Sequence, residues 1–277
     1  MISNETGNNA SDPAVEVSDL TRRFGDFLAL DNVSFAVPHG EIFVLIGSNG
    51  ADKSTLIKML TTLLPPTDGT ARVAGFDIVR QATDVRRHIG YVPQLLSADG
   101  ALTAWENLLL SARLYDVPGR EARTRIEGAL KAMELTKFAH HLVSGFSGGM
   151  IRRLEIAQSM LHHPAVLFMD EPTVGLDPVA RHTVLDHVRT VRHRFGTTVL
   201  ITSHYMEEVE ELCERIAVLG HGRLVAIGTP AELKQRVGPH ATLDDVFAAL
   251  AGPAEQAEEE GGYRGVRQVR RAARTHG

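Results

Sequence analysis

One cysteine, Cys213, in 277 residues leaves no internal disulfide and no cysteine-based zinc site, as expected in a reducing compartment. No apolar run approaches the ~20 residues that a membrane-spanning helix needs. The opening residues, MISNETGNNASDP, lack the basic start and apolar core of a secretion signal. A chain that is neither secreted nor membrane-spanning is therefore expected. The histidine pairs His140-His141 and His162-His163 have no metal-ligand spacing and read as helix-end or surface residues. A net charge of −5 without a dominant basic patch argues against nucleic acid as a main partner. No internal repeat is visible, and 43% hydrophobic residues are ample for the core of one large α/β domain.

What is present is a pair of phosphate-binding signals. The apolar run 42–46 (IFVLI) leads into Gly47-Ser48-Asn49-Gly50-Ala51-Asp52-Lys53-Ser54-Thr55, and the helical-looking segment 56–60 (LIKML) follows. A glycine-rich loop between a buried strand and a helix is where the pattern G-x-x-x-x-G-K-[ST] places phosphate. Here Asp52 occupies the position of the second glycine. Lys53 still supplies a point charge for the β/γ-phosphates, Ser54 a hydroxyl for Mg²⁺ and Thr55 a second hydroxyl near the helix start.

Residues 144–155 (SGFSGGMIRRLE) and 166–172 (VLFMDEP) carry the second signal. Ser147, Gly148 and Gly149 stand at an expected helix start, where backbone N–H groups and a hydroxyl face an anion. Four apolar residues then drive a buried strand that ends on Asp170 and Glu171. One carboxylate can hold Mg²⁺ through water, and its neighbour can take a proton from an attacking water. Such a pair beside a phosphate loop points to nucleotide hydrolysis.

With these motifs in order, the chain from about Val15 to about Gly252 resembles the nucleotide-binding subunit of an ABC transporter. The resemblance implies a P-loop NTPase fold with a mainly parallel core sheet, an antiparallel β-subdomain and an α-helical subdomain. It implies ATP and Mg²⁺ as cofactors. Gln94, in YVPQ, resembles the glutamine that contacts Mg²⁺ and the attacking water. Asp170 matches the metal-associated aspartate, Glu171 the general base, His204 in ITSHYMEE the switch histidine, and Gly175-Leu176-Asp177 the D-loop, which adds Asp177 to the nucleotide-binding residues. Phe24, in TRRFGDFLAL, takes the place of the aromatic that stacks on adenine. Ser147-Gly148-Gly149 resembles the signature that closes over ATP held by an opposite subunit. Phe146 and Met150 depart from the usual leucine and glutamine. The implied partners are a separate transmembrane permease and a second nucleotide-binding domain, as homodimer or heterodimer, at the cytoplasmic face of the membrane. Residues 22–35 (RRFGDFLALDNVSF), 146–157 (FSGGMIRRLEIA) and 242–252 (TLDDVFAALAG) resemble the ATPases of daunorubicin-type drug-resistance exporters. Asp52 keeps a second reading in play: a nucleotide-binding regulatory subunit, or a variant with impaired turnover.

Three regions are expected: a disordered start over 1–13, the nucleotide-binding domain over 14–252, and a charged tail over 253–277 whose recurring arginines are solvated. Strands are expected over 15–20, 33–37, 42–46, 69–78, 89–92, 166–169 and 198–202. Inside the domain, about 95–147 should form a helical insert, with helices over 103–115, 120–133 and 137–141. Cys213 is expected in the apolar stripe of one helix with Met206, Val209, Leu212 and Ile216.

Overall fold

Five consecutive apolar residues such as 42–46, rich in β-branched and aromatic side chains, suit a strand covered on both faces. In the computed structural model, which describes residues 12–47 and 52–251, that strand lies within a six-stranded sheet. The first strands are β1 (Val15–Phe24), β2 (Phe27–Val37) and β3 (Ile42–Ile46). Then come α1 (Lys53–Leu60), β4 (Asp68–Val73), β5 (Phe76–Asp77), α2 (Ala82–His88) and β6 (Ile89–Val92). Three helices follow, α3 (Ala104–Leu114), α4 (Gly119–Ala132) and α5 (Gly148–Met160). The chain then alternates through β7 (Val166–Asp170), α6 (Pro178–Phe195), β8 (Thr198–Ser203) and α7 (Met206–Leu212). It ends on β9 (Arg215–Gly220), β10 (Arg223–Gly228), α8 (Pro230–Val237) and α9 (Leu243–Ala251). The loop residues Ser48, Asn49, Gly50 and Ala51, the expected disordered start up to residue 11 and the charged tail lie outside the described residues.

The large sheet has the order β10-β9-β3-β8-β7-β6, parallel except for β10. Successive side chains of its central strands divide between two cores. Ile42, Val44 and Ile46 of β3 face the helical side, whereas Phe43 and Leu45 face α1 and the second, antiparallel sheet β2-β1-β4-β5. β7 and β8 alternate likewise, with Leu167, Met169, Val199 and Ile201 on the first side and Val166, Phe168 and Leu200 on the second. Parallel pairing brings the strand ends together: Ile46 lies opposite Ser203, Asp170 opposite Thr202 and Val92 opposite Met169. Ligand-facing residues gather at this carboxyl edge in open α/β sheets.

The structure departs from the sequence expectations in several places: β1 runs on to Phe24 instead of ending at 20, and β2 starts at Phe27 instead of at 33. The single strand over 69–78 is a hairpin, β4 and β5, joined by Ala74 and Gly75 at φ 51° and 84°. Over 137–141 there is only a 3₁₀ turn at Thr136–Phe138. The stripe from Met206 to Ile216 is not one helix: α7 stops at Leu212, Cys213 is extended and Ile216 belongs to β9. Strand pairing outcompetes the helix there, because Glu214 donates its N–H to the Ile42 carbonyl and its carboxylate accepts the Ile42 N–H at 2.6 Å. Finally, β9 and β10 themselves were not anticipated. Their signal was the two-residue turn His221-Gly222, φ 48° and 72°, between apolar runs.

Candidate functional site

Lys53 begins α1 and is buried; its ammonium donates to the Gly47 carbonyl at 2.6 Å and lies 3.6 Å from Glu171 Oε1. The charge is thus held between the residue that follows β3 and the carboxylate that follows β7. Ser54 and Thr55 are half-buried in the first helical turn. Asp52, just ahead of them, adopts φ 60° and ψ 27°. Aspartate tolerates this left-handed region better than most residues. Its carboxylate accepts a 3.0 Å hydrogen bond from Thr55 Oγ1, while burial pushes the carboxyl above its ordinary range.

Asp170 and Glu171 stand where β7 ends, both buried. Glu171 has φ 45°, which turns its side chain away from the line of the strand. Its Oε2 accepts from Gln94 Nε2 at 3.0 Å, and its Oε1 lies 3.5 Å from His204 Nδ1. The nearby imidazole, and after it Lys53, hold this carboxyl below the usual glutamate range against the opposing pull of burial. His204 and Lys53 thus hold the group in the ionised state, the only one in which it can accept a proton. Glu171, Lys53, Gln94 and His204 therefore meet at one carboxylate, although they come from β7, α1, the loop after β6 and the end of β8.

Ser147, Gly148 and Gly149 form a second surface. Ser147 caps α5, its hydroxyl accepting the Met150 N–H at 3.3 Å. Among the described residues these three make no hydrogen bond to Asp170, Glu171 or His204. They pack instead on the segment leading into α6: a Cβ on Gly149 would lie 2.8 Å from Ala180 Cβ, and one on Gly148 would lie 3.2 Å from Leu176 Cδ2. Asp177 caps α6 through a 3.0 Å bond from the Ala180 N–H. Phe24 lies apart at the end of β1, exposed, with the Arg22 guanidinium 4.5 Å from its ring centre.

Two sets of residues in the site were missed by sequence reasoning. Thr202 is fully buried and links the two carboxyl-bearing residues; its only sequence signal is a hydroxyl near the end of an apolar run. Arg152 and Glu155 form a buried ion pair that reaches the Gln94 loop, and nothing in their spacing distinguishes them from a surface i,i+3 pair.

No group of three or more His, Cys, Asp or Glu among the described residues could hold a metal ion. The oxygen donors that are present, Asp170 and Ser54 with the Gln94 amide, instead suit Mg²⁺, which keeps several waters and is shared with phosphate.

A family model described as ABC transporter matches residues 30–174. The chain is 40% identical over 240 residues to the probable multidrug ABC transporter ATP-binding protein YbhF of Escherichia coli (strain K12), covering 85% of this chain and 41% of that protein. It is 44% identical over 225 residues to the daunorubicin/doxorubicin resistance ATP-binding protein DrrA of Streptomyces peucetius, covering 81% and 68%. Among solved structures, the ATP-binding cassette MJ0796, a dimer in a post-hydrolysis state bound to ADP and Pi, superposes with a TM-score of 0.69 at 28% identity over 78% of this chain and 98% of that one.

Proposed function

The chain belongs to the ABC transporter family, and from that premise we propose that it binds and hydrolyses ATP to power a membrane exporter through a separate transmembrane subunit. The observation that carries the reading is the convergence of Lys53, Gln94 and His204 on Glu171. Lys53 and the N–H groups at the start of α1 bind the β- and γ-phosphates. Ser54, Gln94 and Asp170 hold Mg²⁺, which when bound neutralises phosphate charge. Glu171 takes the proton of the water whose oxygen attacks the γ-phosphorus, as the bond to the bridging oxygen of ADP breaks. His204 keeps that carboxylate oriented and ionised. Phe24 offers an exposed ring for the adenine base to stack on.

ABC ATP-binding subunits dimerise and work with a transmembrane component. In this chain Ser147, Gly148 and Gly149 would face ATP held by a second copy, or by a related domain, because they do not reach Glu171 of their own chain. Asp177 would stand at that dimer face. A groove of about 650 Å³ between α2, β6 and the end of α3, lined by Leu63, Arg86, Arg87, Tyr91, Leu114 and Tyr115, offers the transmembrane partner an apolar floor with basic edges. No helix among the described residues is long and apolar enough to cross a membrane. The names of YbhF and DrrA favour drugs or other amphipathic compounds as cargo.

Co-expression with the membrane protein that co-purifies with the chain tests this reading. Mg·ATP hydrolysis should rise in the complex and the chain should pellet with membranes. A chain that neither binds Mg·ATP nor associates with any membrane protein overturns it. A regulatory subunit without turnover has only Asp52 in its favour, whereas Lys53, Asp170, Glu171 and His204 are all in place.

A further inference from the structure

α5 buries two charged residues on its inward face. Arg152 and Glu155 are 1% and 3% exposed, one helical turn apart and 2.9 Å from each other. A buried ion pair is weak support for stability, since desolvating two charges offsets most of their attraction. What distinguishes this pair is where its remaining bonds go. Arg152 Nη1 donates to the Pro93 carbonyl at 2.6 Å and Nη2 to the Gln94 carbonyl at 2.7 Å. Glu155 Oε1 accepts the Ser97 N–H and, at 3.0 Å, the Ser97 hydroxyl. The first five residues of the irregular loop after β6 are thus held at Pro93, Gln94 and Ser97 by side chains of α5.

We propose that Arg152 and Glu155 are positioning residues that clamp the Gln94 loop to α5, so that Gln94 and the Ser147–Gly149 surface move as one unit. Gln94 reaches Glu171 at one end of this unit, and Ser147 caps α5 less than two turns before Arg152 at the other. Displacement of the loop by a partner is then carried to the phosphate-facing start of α5 by a forked guanidinium, whose planar donors hold two consecutive carbonyls in a fixed orientation. The role of the clamp in turnover rests on the proposed ATPase function; its existence as a mechanical link does not.

The test uses the full chain and the double variant Arg152→Met/Glu155→Leu, which fills the volume without leaving an orphan charge. Amide exchange of residues 94–98 and of Gly149 and Met150 is followed with and without Mg·ATP, beside steady-state ATPase rates. Without nucleotide, exchange at Ser97 should rise at least ~10-fold in the variant, the change expected when its carboxylate acceptor is lost. On addition of Mg·ATP the two segments should change protection together in the unsubstituted chain and separately in the variant. The catalytic rate kcat should fall about tenfold with KM for Mg·ATP within about threefold, the pattern of lost positioning. A joint response that persists in the variant, or unchanged Ser97 exchange, overturns the clamp. If the double variant does not fold, Arg152→Lys decides: it keeps the charge but not the fork, so loosened 94–98 exchange with a lowered kcat sustains the proposal and unsubstituted behaviour refutes it. An unsubstituted chain that shows no Mg·ATP binding refutes the nucleotide reading, while Ser97 exchange still judges the clamp.

Discussion

Thr202 Oγ1 donates a 2.7 Å hydrogen bond to Asp170 Oδ1 across the β7–β8 pairing. The same oxygen accepts the Glu171 N–H at 2.8 Å, so one buried hydroxyl orients the carboxylate of one residue and the backbone of the next. It secures Glu171 at φ 45°, a conformation that a glutamate adopts only when its surroundings enforce it. Thr202→Val keeps the shape and removes both bonds. Leaving such groups unpaired costs about 1–3 kcal/mol. The ATPase rate should fall at least ~10-fold, whereas Thr202→Ser, which restores the hydroxyl, should stay within about threefold. Rates and melting temperatures of the two variants check this, and equal rates would remove Thr202 from the site.

Glu171→Gln preserves the size of the side chain and its contact with Gln94 but removes the basic oxygen. Hydrolysis should fall by at least ~10², and an ATP-bound dimer should accumulate. Turnover assays with size-exclusion chromatography in Mg·ATP measure both. Near-normal turnover would mean that another group accepts the proton.

Asp52 is expected to act on nucleotide binding through its charge rather than its backbone, since the left-handed conformation is already in place. A carboxylate ~5 Å from one phosphate charge costs about 3 kcal/mol at an effective dielectric of ~20, and Lys53 with Mg²⁺ offsets part of it. Asp52→Gly should therefore tighten Mg·ATP binding about tenfold. Because burial raises the Asp52 carboxyl, acid neutralises it sooner than an ordinary aspartate, so the gap between the two proteins should be wider at pH 8 than at an acidic pH. Calorimetric titrations at both pH values decide the matter; a gap that does not change with pH argues that Asp52 points away from phosphate.

Gly149 is required by close approach. A Cβ there meets Ala180 Cβ at 2.8 Å, a contact that neither side can relieve without moving α5 from α6. At Gly148 the obstacle is the mobile end of Leu176, at 3.2 Å. Gly149→Ala should cost about 1–3 kcal/mol and lower turnover, while Gly148→Ala should be milder in stability. Thermal melts that rank the two the other way would contradict this packing.

The Cys213 thiol is pushed up to about 12, chiefly by burial. Its reaction with a disulfide reagent at pH 8 should be at least ~10-fold slower in the folded chain than in denaturant. The linkage follows in sign: below pH ~9 the thiol is protonated in both states, and above it the unfolded state loses the proton first. Stability should then decline as pH rises from about 9 toward 12, and a Cys213→Ala variant should decline less. Rapid labelling of the native chain would show that the thiol is accessible.

Runs of one composition were legible along the chain. Residues 42–46 and 89–92 form strands with the expected bounds, and the strands over 166–169 and 198–202 each gain one residue. A strand buried on both faces needs no partner to be recognised. The helices over 103–115 and 120–133 appear as α3 and α4 within a residue of the expected ends, the first secured by the Thr103–Glu106 capping box. The placing of Lys53 at a helix start and of the Asp170-Glu171 pair at a strand end was equally legible, because these residue types at fixed spacing from apolar runs give a local signal.

Tertiary structure decided whatever depended on a distant partner. The apolar stripe that seemed to carry a helix through Cys213 gave way at Glu214, whose hydrogen bonds to Ile42 belong to the sheet edge and have no local signal. Thr202 became a bridge between carboxyl-bearing residues only because β7 and β8 pair in the register that sets it opposite Asp170. Arg152 and Glu155 have the spacing of an ordinary surface pair; the packing of α5 against the Gln94 loop buried them and turned their bonds toward its backbone. Composition and spacing determined which polar groups stand at the carboxyl edge of the large sheet, while the long-range pairing of strands and helices determined which groups hold them in place.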